Sequence, residues 1–336
     1  MPWAFPDVCL YGACPTVLRQ FFMEAMYRAP LVRRVAGAAT VLLALGLLSA
    51  CESDYDKAMA LVAKENFAEA APLLKKAADG GNVLAQAELG RLYLSGTGVP
   101  LDYGLARELF TKAAEKGNAD AELGLGLLYY SGSGVPQSYT LARTWMEKAA
   151  AQGLERSYPM LAIIYYDGAG TPQDFAQALS YAERGAKANN SSAEYVLGGM
   201  YINGEGVPQD FAKGRGYLEA SAAQDDEGAL YSLSSIYVQG LGVKVDYKRA
   251  AAYAQRAADL GYSAAQLTLG QMYATGQGVE RDIAEADKWL NLAAMDSKRR
   301  DEASFNKELV EKEMTPSQIA EAQRRAAEWA AGHKDQ

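Results

Sequence analysis

The stretch Leu89-Gly90-Arg91-Leu92-Tyr93-Leu94-Ser95-Gly96-Thr97-Gly98-Val99-Pro100-Leu101-Asp102 decides the fold, because it returns at a fixed interval. Tyr93, Tyr129, Tyr165, Tyr201, Tyr237 and Tyr273 are each 36 residues apart. Leucines precede them by four, at Leu89, Leu125, Leu161, Leu197, Leu233 and Leu269, and small residues by three, at Gly90, Gly126, Ala162, Gly198, Ser234 and Gly270. Glycines follow by three, from Gly96 to Gly276, and by five, from Gly98 to Gly278. Asp102, Asp174, Asp210, Asp246 and Asp282 close the pattern, with Ser138 in the second unit. A fixed period of this length marks stacked repeats rather than a closed globular domain.

Leucine and tyrosine four apart share one helix face. The small residue beside them lets a second helix approach. The first glycine ends the helix, since it enters the left-handed region at little cost. The aspartate then caps the next helix, its carboxylate accepting from free amides. That second helix, near Tyr103 to Glu115 in the first repeat, carries Ala106, Ala113 and Ala114 toward its partners. Trp145, Tyr181, Tyr217, Tyr253 and Trp289 recur in it as larger fillers. Each unit is a helical hairpin that cannot bury its apolar face alone, so the units stack. Residues 55 to 80 read as a shortened unit, with Asn66 in place of the capping aspartate. Pro159, in the third repeat, fits a helix only in its first turn.

The Leu-Gly-x-x-Tyr, Gly-x-Gly-Val and capping-Asp elements resemble the Sel1-like repeat, a relative of the tetratricopeptide repeat. The resemblance covers about residues 55 to 297 and implies an all-α fold, an α-solenoid (right-handed superhelix) of 36-residue helix-turn-helix repeats. It implies adaptor and scaffold roles in signalling, secretion and envelope assembly. The motif carries no catalytic residues, so the chain is expected not to be an enzyme.

Domain boundaries are expected at 1–25, a mis-called start or an extension, and 26–50, a lipoprotein signal peptide. The mature N-terminus with the shortened repeat follows at 51–80, six repeats at 81–297, and capping helices with a tail at 298–336. Arg28, Arg33 and Arg34 precede an apolar run from Val35 to Leu47, then Leu48-Ser49-Ala50-Cys51. A basic region, a short apolar run and small residues describe a secretory signal. The run is too short for a comfortable membrane span. The tetrapeptide resembles a bacterial lipobox, which implies lipidation of Cys51; a plain signal peptide is the alternative. Glu52 after the cysteine, by resemblance to bacterial sorting rules, points to the outer membrane and a periplasmic setting. At the other end, Thr315-Pro316-Ser317-Gln318 reads as a helix start, with a helix from Ile319 to Ala331 as the polar cap that solenoids need.

The chain has 33 Lys+Arg and 41 Asp+Glu. Residues 1–50 contribute four arginines and two acids, so the remainder carries 29 basic and 39 acidic side chains, net −10. That argues against a nucleic-acid partner, which would require a basic stripe. The one histidine, His333, lies three residues from the end, which removes histidine-based catalysis. No cysteine follows Cys51, so no thiolate zinc site is available there. The Gly-x-Gly loops follow helices rather than strands and fail the dinucleotide context. No cofactor or metal is expected. Asp225, Asp226 and Glu227 cluster between repeats and are the candidates for carboxylate chemistry, against the reading of a solvated turn; Asp167 reads as a solvated or loop-bonding acid.

Contact residues are expected where the repeats differ. The freest columns lie two and six positions before each tyrosine. The first holds Arg91, Leu127, Ile163, Gly199, Ser235 and Gln271; the second Ala87, Leu123, Pro159, Tyr195, Tyr231 and Leu267. Being four apart, they share a face, which in a tetratricopeptide-like stack is concave. Leu123, Leu127, Ile163, Tyr195 and Tyr231, joined by Tyr130 and Tyr166, are expected to form an apolar, tyrosine-rimmed groove for an extended peptide or partner helix. Packing against a neighbouring helix is the competing role for each. The function expected is a non-catalytic periplasmic lipoprotein scaffold binding envelope proteins in assembly, secretion or polysaccharide export. The alternative is a module binding glycan or peptidoglycan strands.

Overall fold

The structure is a computed structural model that describes residues 53–333. Cys51, the 26–50 signal and residues 1–25 lie outside the described residues. The described chain forms two compact units that meet between Gly185 and Ala186. Among the described residues there are sixteen α-helices and no strand. The first unit holds α1 (Asp54–Val62), α2 (Phe67–Asp79), α3 (Val83–Ser95), α4 (Tyr103–Ala114), α5 (Ala119–Ser131), α6 (Tyr139–Ala151) and α7 (Tyr158–Asp167). It also holds α8 (Phe175–Lys187) up to Gly185. The second holds α9 (Ser191–Asn203), α10 (Phe211–Ala222), α11 (Glu227–Gln239), α12 (Tyr247–Asp259), α13 (Ser263–Thr275) and α14 (Ile283–Ala293). It ends with α15 (Arg300–Glu311) and α16 (Pro316–Gly332). Within each unit, successive helix-turn-helix hairpins stack as an α-solenoid.

The repeat columns act as the spacing predicts. Gly96 ends α3 with φ 69°, its N–H donating to Leu92 O. All six capping positions hold: Asp102 accepts from Leu105 N at 2.9 Å, Asp210 from Lys213 N at 2.9 Å, and Ser138 from Leu141 N at 3.3 Å. Asp174, Asp246 and Asp282 do the same for their helices. The small column permits close helix contact. A Cβ on Gly126 would lie 2.6 Å from Met146 Cγ, and one on Gly198 2.6 Å from Leu218 Cγ. Three of the repeat tyrosines stack on the second-helix aromatic of their hairpin: Tyr165 on Tyr181 at 5.9 Å, Tyr201 on Tyr217 at 5.8 Å, Tyr237 on Tyr253 at 5.8 Å. Such pairs add about 0.5–1.5 kcal/mol beyond area burial.

Other devices were not legible as such. In five of the loops the second glycine seats the loop on the preceding repeat: a Cβ on Gly242, at φ +65°, would lie 2.4 Å from Phe211 Cβ. First helices have their own cap column, in which Asn82, Asn118, Asn190 and Asp226 accept from Ala85, Ala121, Ala193 and Ala229 N. Gln137, Gln173 and Gln209 staple the loops by donating to Tyr130, Tyr166 and Ile202 O. In the third repeat Leu154 stands at the cap column. A 3-10 turn, Glu155–Ser157, replaces the first helical turn, and α7 starts only at Tyr158 with Pro159 in its first turn. One expectation is corrected: Asn66 makes no side-chain cap on α2.

At the C-terminal end, α15 starts at Arg300. Thr315 and Gln318 form a reciprocal capping box on α16 with Pro316 at its first position. Trp329 of α16 meets Trp289 of α14 edge-on at 6.1 Å. No described helix is long and apolar enough to cross a membrane.

Candidate functional site

The first helices of three successive hairpins turn one face toward a shared cleft of about 490 Å³ in the first unit. Three- and four-residue spacing brings Tyr55, Met59 and Val62 from α1 to it. Leu84, Ala87, Glu88 and Arg91 come from α3, and Asp120, Leu123, Gly124 and Leu127 from α5. The floor rests on Phe110 of α4, whose ring is held between two glycines. A Cβ on Gly90 would lie 2.8 Å from Phe110 Cε1, and one on Gly124 2.6 Å from Cε2. Leu123 and Leu127 are buried, while Leu84 on the rim is 52% exposed.

Two ion pairs stand on the walls, beside the Glu65 carboxylate. Arg91 Nε donates to both Glu88 oxygens, at 3.1 and 3.2 Å. Arg156, from the 3-10 turn, pairs with Asp120. Burial, then the carboxylates of Glu88, Asp56 and Asp120, push the Tyr55 hydroxyl above its ordinary value, so it stays protonated. The result is an apolar floor between two ion pairs, with no nucleophile–base arrangement. Among the described residues no cluster of His, Cys, Asp or Glu could hold a metal ion.

Of the two variable columns, Ala87, Arg91, Leu123 and Leu127 line the cleft in the first unit. The expectation of an apolar groove exposed to a partner is corrected: Leu123 and Leu127 are themselves buried, and the candidate tyrosines pack against neighbouring elements. Tyr130 is buried edge-on against Tyr139 at 5.1 Å, and burial pushes its hydroxyl to about 12. Tyr166 is buried edge-on against Phe175 at 5.6 Å. Ile163 is half-buried on α7. In the second unit Tyr195 belongs to the hydrophobic core, and Tyr231 is half-buried against Tyr262 at 5.3 Å. The competing role, packing on a neighbouring element, explains these aromatics. The suspected acids are structural: Asp226 caps α11, Asp225 pairs with Arg256 at 2.7 Å, and Glu227 is buried. Asp167 is exposed at the end of α7.

Sequence reasoning missed the α1 wall and Gly124. The α1 wall carries none of the loop motif that reveals the other repeats. Gly124 stands outside every repeat column, and its departure from periodicity was the available signal.

Seven stretches, residues 61–82, 83–118, 119–154, 160–190, 191–226, 228–262 and 263–297, match the Sel1 repeat, and the chain belongs to that family. A Sel1 repeat protein from Oxalobacter formigenes is similar in structure, with TM-score 0.67 and 27% identity over 72% of this chain and 97% of that one. A protective antigen of uropathogenic Escherichia coli strains with an SLR fold is 23% identical over 83% of each chain, with TM-score 0.44. No curated protein matches the chain. Sel1 repeat proteins generally mediate protein–protein interactions and act as non-catalytic scaffolds.

Proposed function

We propose that this chain is a non-catalytic adaptor of the bacterial envelope that holds a protein partner in the first-unit cleft. The observation that carries the reading is the conjunction of an apolar floor, a half-exposed Leu84 and flanking ion pairs on a face where the repeats diverge. A helix or extended peptide with two or three apolar anchors fits such a cleft, its own charges meeting the rim. Attachment is supported by the Leu48-Ser49-Ala50-Cys51 motif, read as a lipobox with Cys51 lipidated and the repeats facing the periplasm from the outer membrane. Assembly, secretion and polysaccharide export are the processes such a scaffold would serve. The glycan reading has less support, because Tyr130, Tyr166 and Tyr231 turn ring surface toward other aromatics.

A photo-crosslinking residue at position 84 tests the cleft in cells. A discrete protein adduct is expected there, lost in Leu127→Glu, and absent when the probe is moved to the exposed Thr144 on α6. Adducts from position 144 alone would move the partner site to the opposite helices. For the anchor, Cys51→Ser should abolish labelling by a fatty-acid analogue and release the protein to the soluble fraction. Labelling that persists in that variant overturns the lipid reading.

A further inference from the structure

One column of the repeat array places polar side chains where packing excludes water. Gln86, Glu122, Glu194 and Gln266 stand at equivalent places in their first helices, separated by multiples of the repeat, and all are buried. Gln86 donates from Nε2 to Ala78 O at 3.2 Å, and Gln266 to Ala258 O at 3.3 Å. Each bond stitches a first helix to the end of the second helix before it. The accepting carbonyl also takes the amide three residues on, Gly81 N in one case and Gly261 N in the other. The corresponding carbonyls for the glutamates are Ala114 O and Ala186 O, eight residues back. They accept from Gly117 N and Asn189 N in the same way.

An ionised glutamate has no proton to donate. Glu122 and Glu194 instead accept from the far side, from Gln152 Nε2 at 2.7 Å and Gln224 Nε2 at 2.9 Å. We propose that Glu122 and Glu194 are proton-operated stitches between repeats: once protonated, each donates to Ala114 O or Ala186 O as the glutamines do, tightening that joint. Each carboxyl keeps its second oxygen for Gln152 or Gln224, so protonation adds a bond without breaking one.

The surroundings agree. Burial raises both carboxyls above the ordinary glutamate value, offset in part by Gln152 and Lys148 at Glu122 and by Gln224 at Glu194. Several charges on the packed elements pair elsewhere, while Arg107 and Lys116 at α4 and Glu183 and Lys187 on α8 are further charged groups there. Lys112 of α4 pairs with Glu108, Asp120 with Arg156, Arg215 of α10 with Glu219, and Asp225 with Arg256. With folded values raised, the stitches contribute most below the ordinary glutamate range, and that contribution is lost as pH rises through the folded values.

Thermal midpoints of the protein, Glu122→Gln, Glu194→Gln and the double variant test this near neutral pH and near pH 4.5, the ordinary glutamate value. Glutamine keeps the acceptor and supplies the donor permanently. Each substitution should raise the midpoint at neutral pH by about 2–4 °C, with the gain shrinking at the lower pH. Gln86→Glu and Gln266→Glu should behave inversely, losing midpoint at neutral pH and recovering it on acidification. Glutamine variants that gain nothing at neutral pH, or gain equally at both, overturn the proposal. So do reciprocal variants whose loss ignores pH.

Discussion

A single capping carboxylate shows how little each residue contributes and how often the contribution repeats. Asp246 accepts from Arg249 N at 3.0 Å at the start of α12. Asp246→Ala should cost about 1 kcal/mol, which chemical denaturation of the protein would read as a lower midpoint with unchanged slope. Gly242→Ala should cost more than the cap. It combines a left-handed backbone with a Cβ 2.4 Å from Phe211 Cβ, and backbone and side chain would both have to shift. Tyr195→Ala distinguishes the competing roles of the variable aromatics. Its ring lies at Gly228 of α11 and belongs to the core cluster that contains Leu230 and Leu233, so truncation should destabilise by about 3 kcal/mol or more. An unchanged melting midpoint would return Tyr195 to the list of surface contacts.

Among the elements, α14 carries an unusual burden. Asp287 is fully buried there, with Asn291 Nδ2 donating to Oδ2 at 2.9 Å and Oδ1 without a hydrogen-bond partner among the described residues. Burial, then the nearby Glu311, pushes its carboxyl from 3.8 up to about 6, against the opposing pull of Lys307. The folded state therefore holds this proton more tightly than the unfolded chain does. The resulting stability is complete below the ordinary aspartate value and declines as pH rises to and through about 6. Asp287→Asn should raise the thermal midpoint at pH values above 6 and change it little well below; equal effects at both would remove Asp287 as the cause.

For the whole molecule, stability is approximately a sum of hairpins and the interfaces between neighbours, and an array needs a polar end. The α15 and α16 helices form that end in the second unit, covering Leu290, Ala293 and Trp289. Truncation after residue 297 should lower the thermal midpoint and promote self-association, measured by circular dichroism and size-exclusion chromatography. A truncated protein that stays monomeric with an unchanged midpoint would show the cap to be dispensable. Net charge of −10 over the chain from residue 51 also disfavours adsorption of the repeats to anionic lipid, which leaves attachment to Cys51 in the proposed scheme.

The sequence by itself determined the hairpins, the glycines that end their first helices and the caps that start their second helices from the first full repeat onward. Those features depend on residues close together in the chain, and a 36-residue period displays each of them several times. It also displayed the variable columns, which contain Ala87, Arg91, Leu123 and Leu127, although only Leu123 and Leu127 were among the residues it singled out. Only the tertiary structure decided which members of those columns line a cleft and which are core. Tyr130 and Tyr166 share their hairpins with Leu127 and Ile163, yet they turn to meet Tyr139 and Phe175 at the next helix start. The cleft itself depends on Gly124 leaving room for the buried Phe110 ring beneath it and on α1 closing one wall. Both arise from contacts between repeats, where one missing side chain changes how closely the neighbouring helix packs, and periodicity within a repeat carries no record of that.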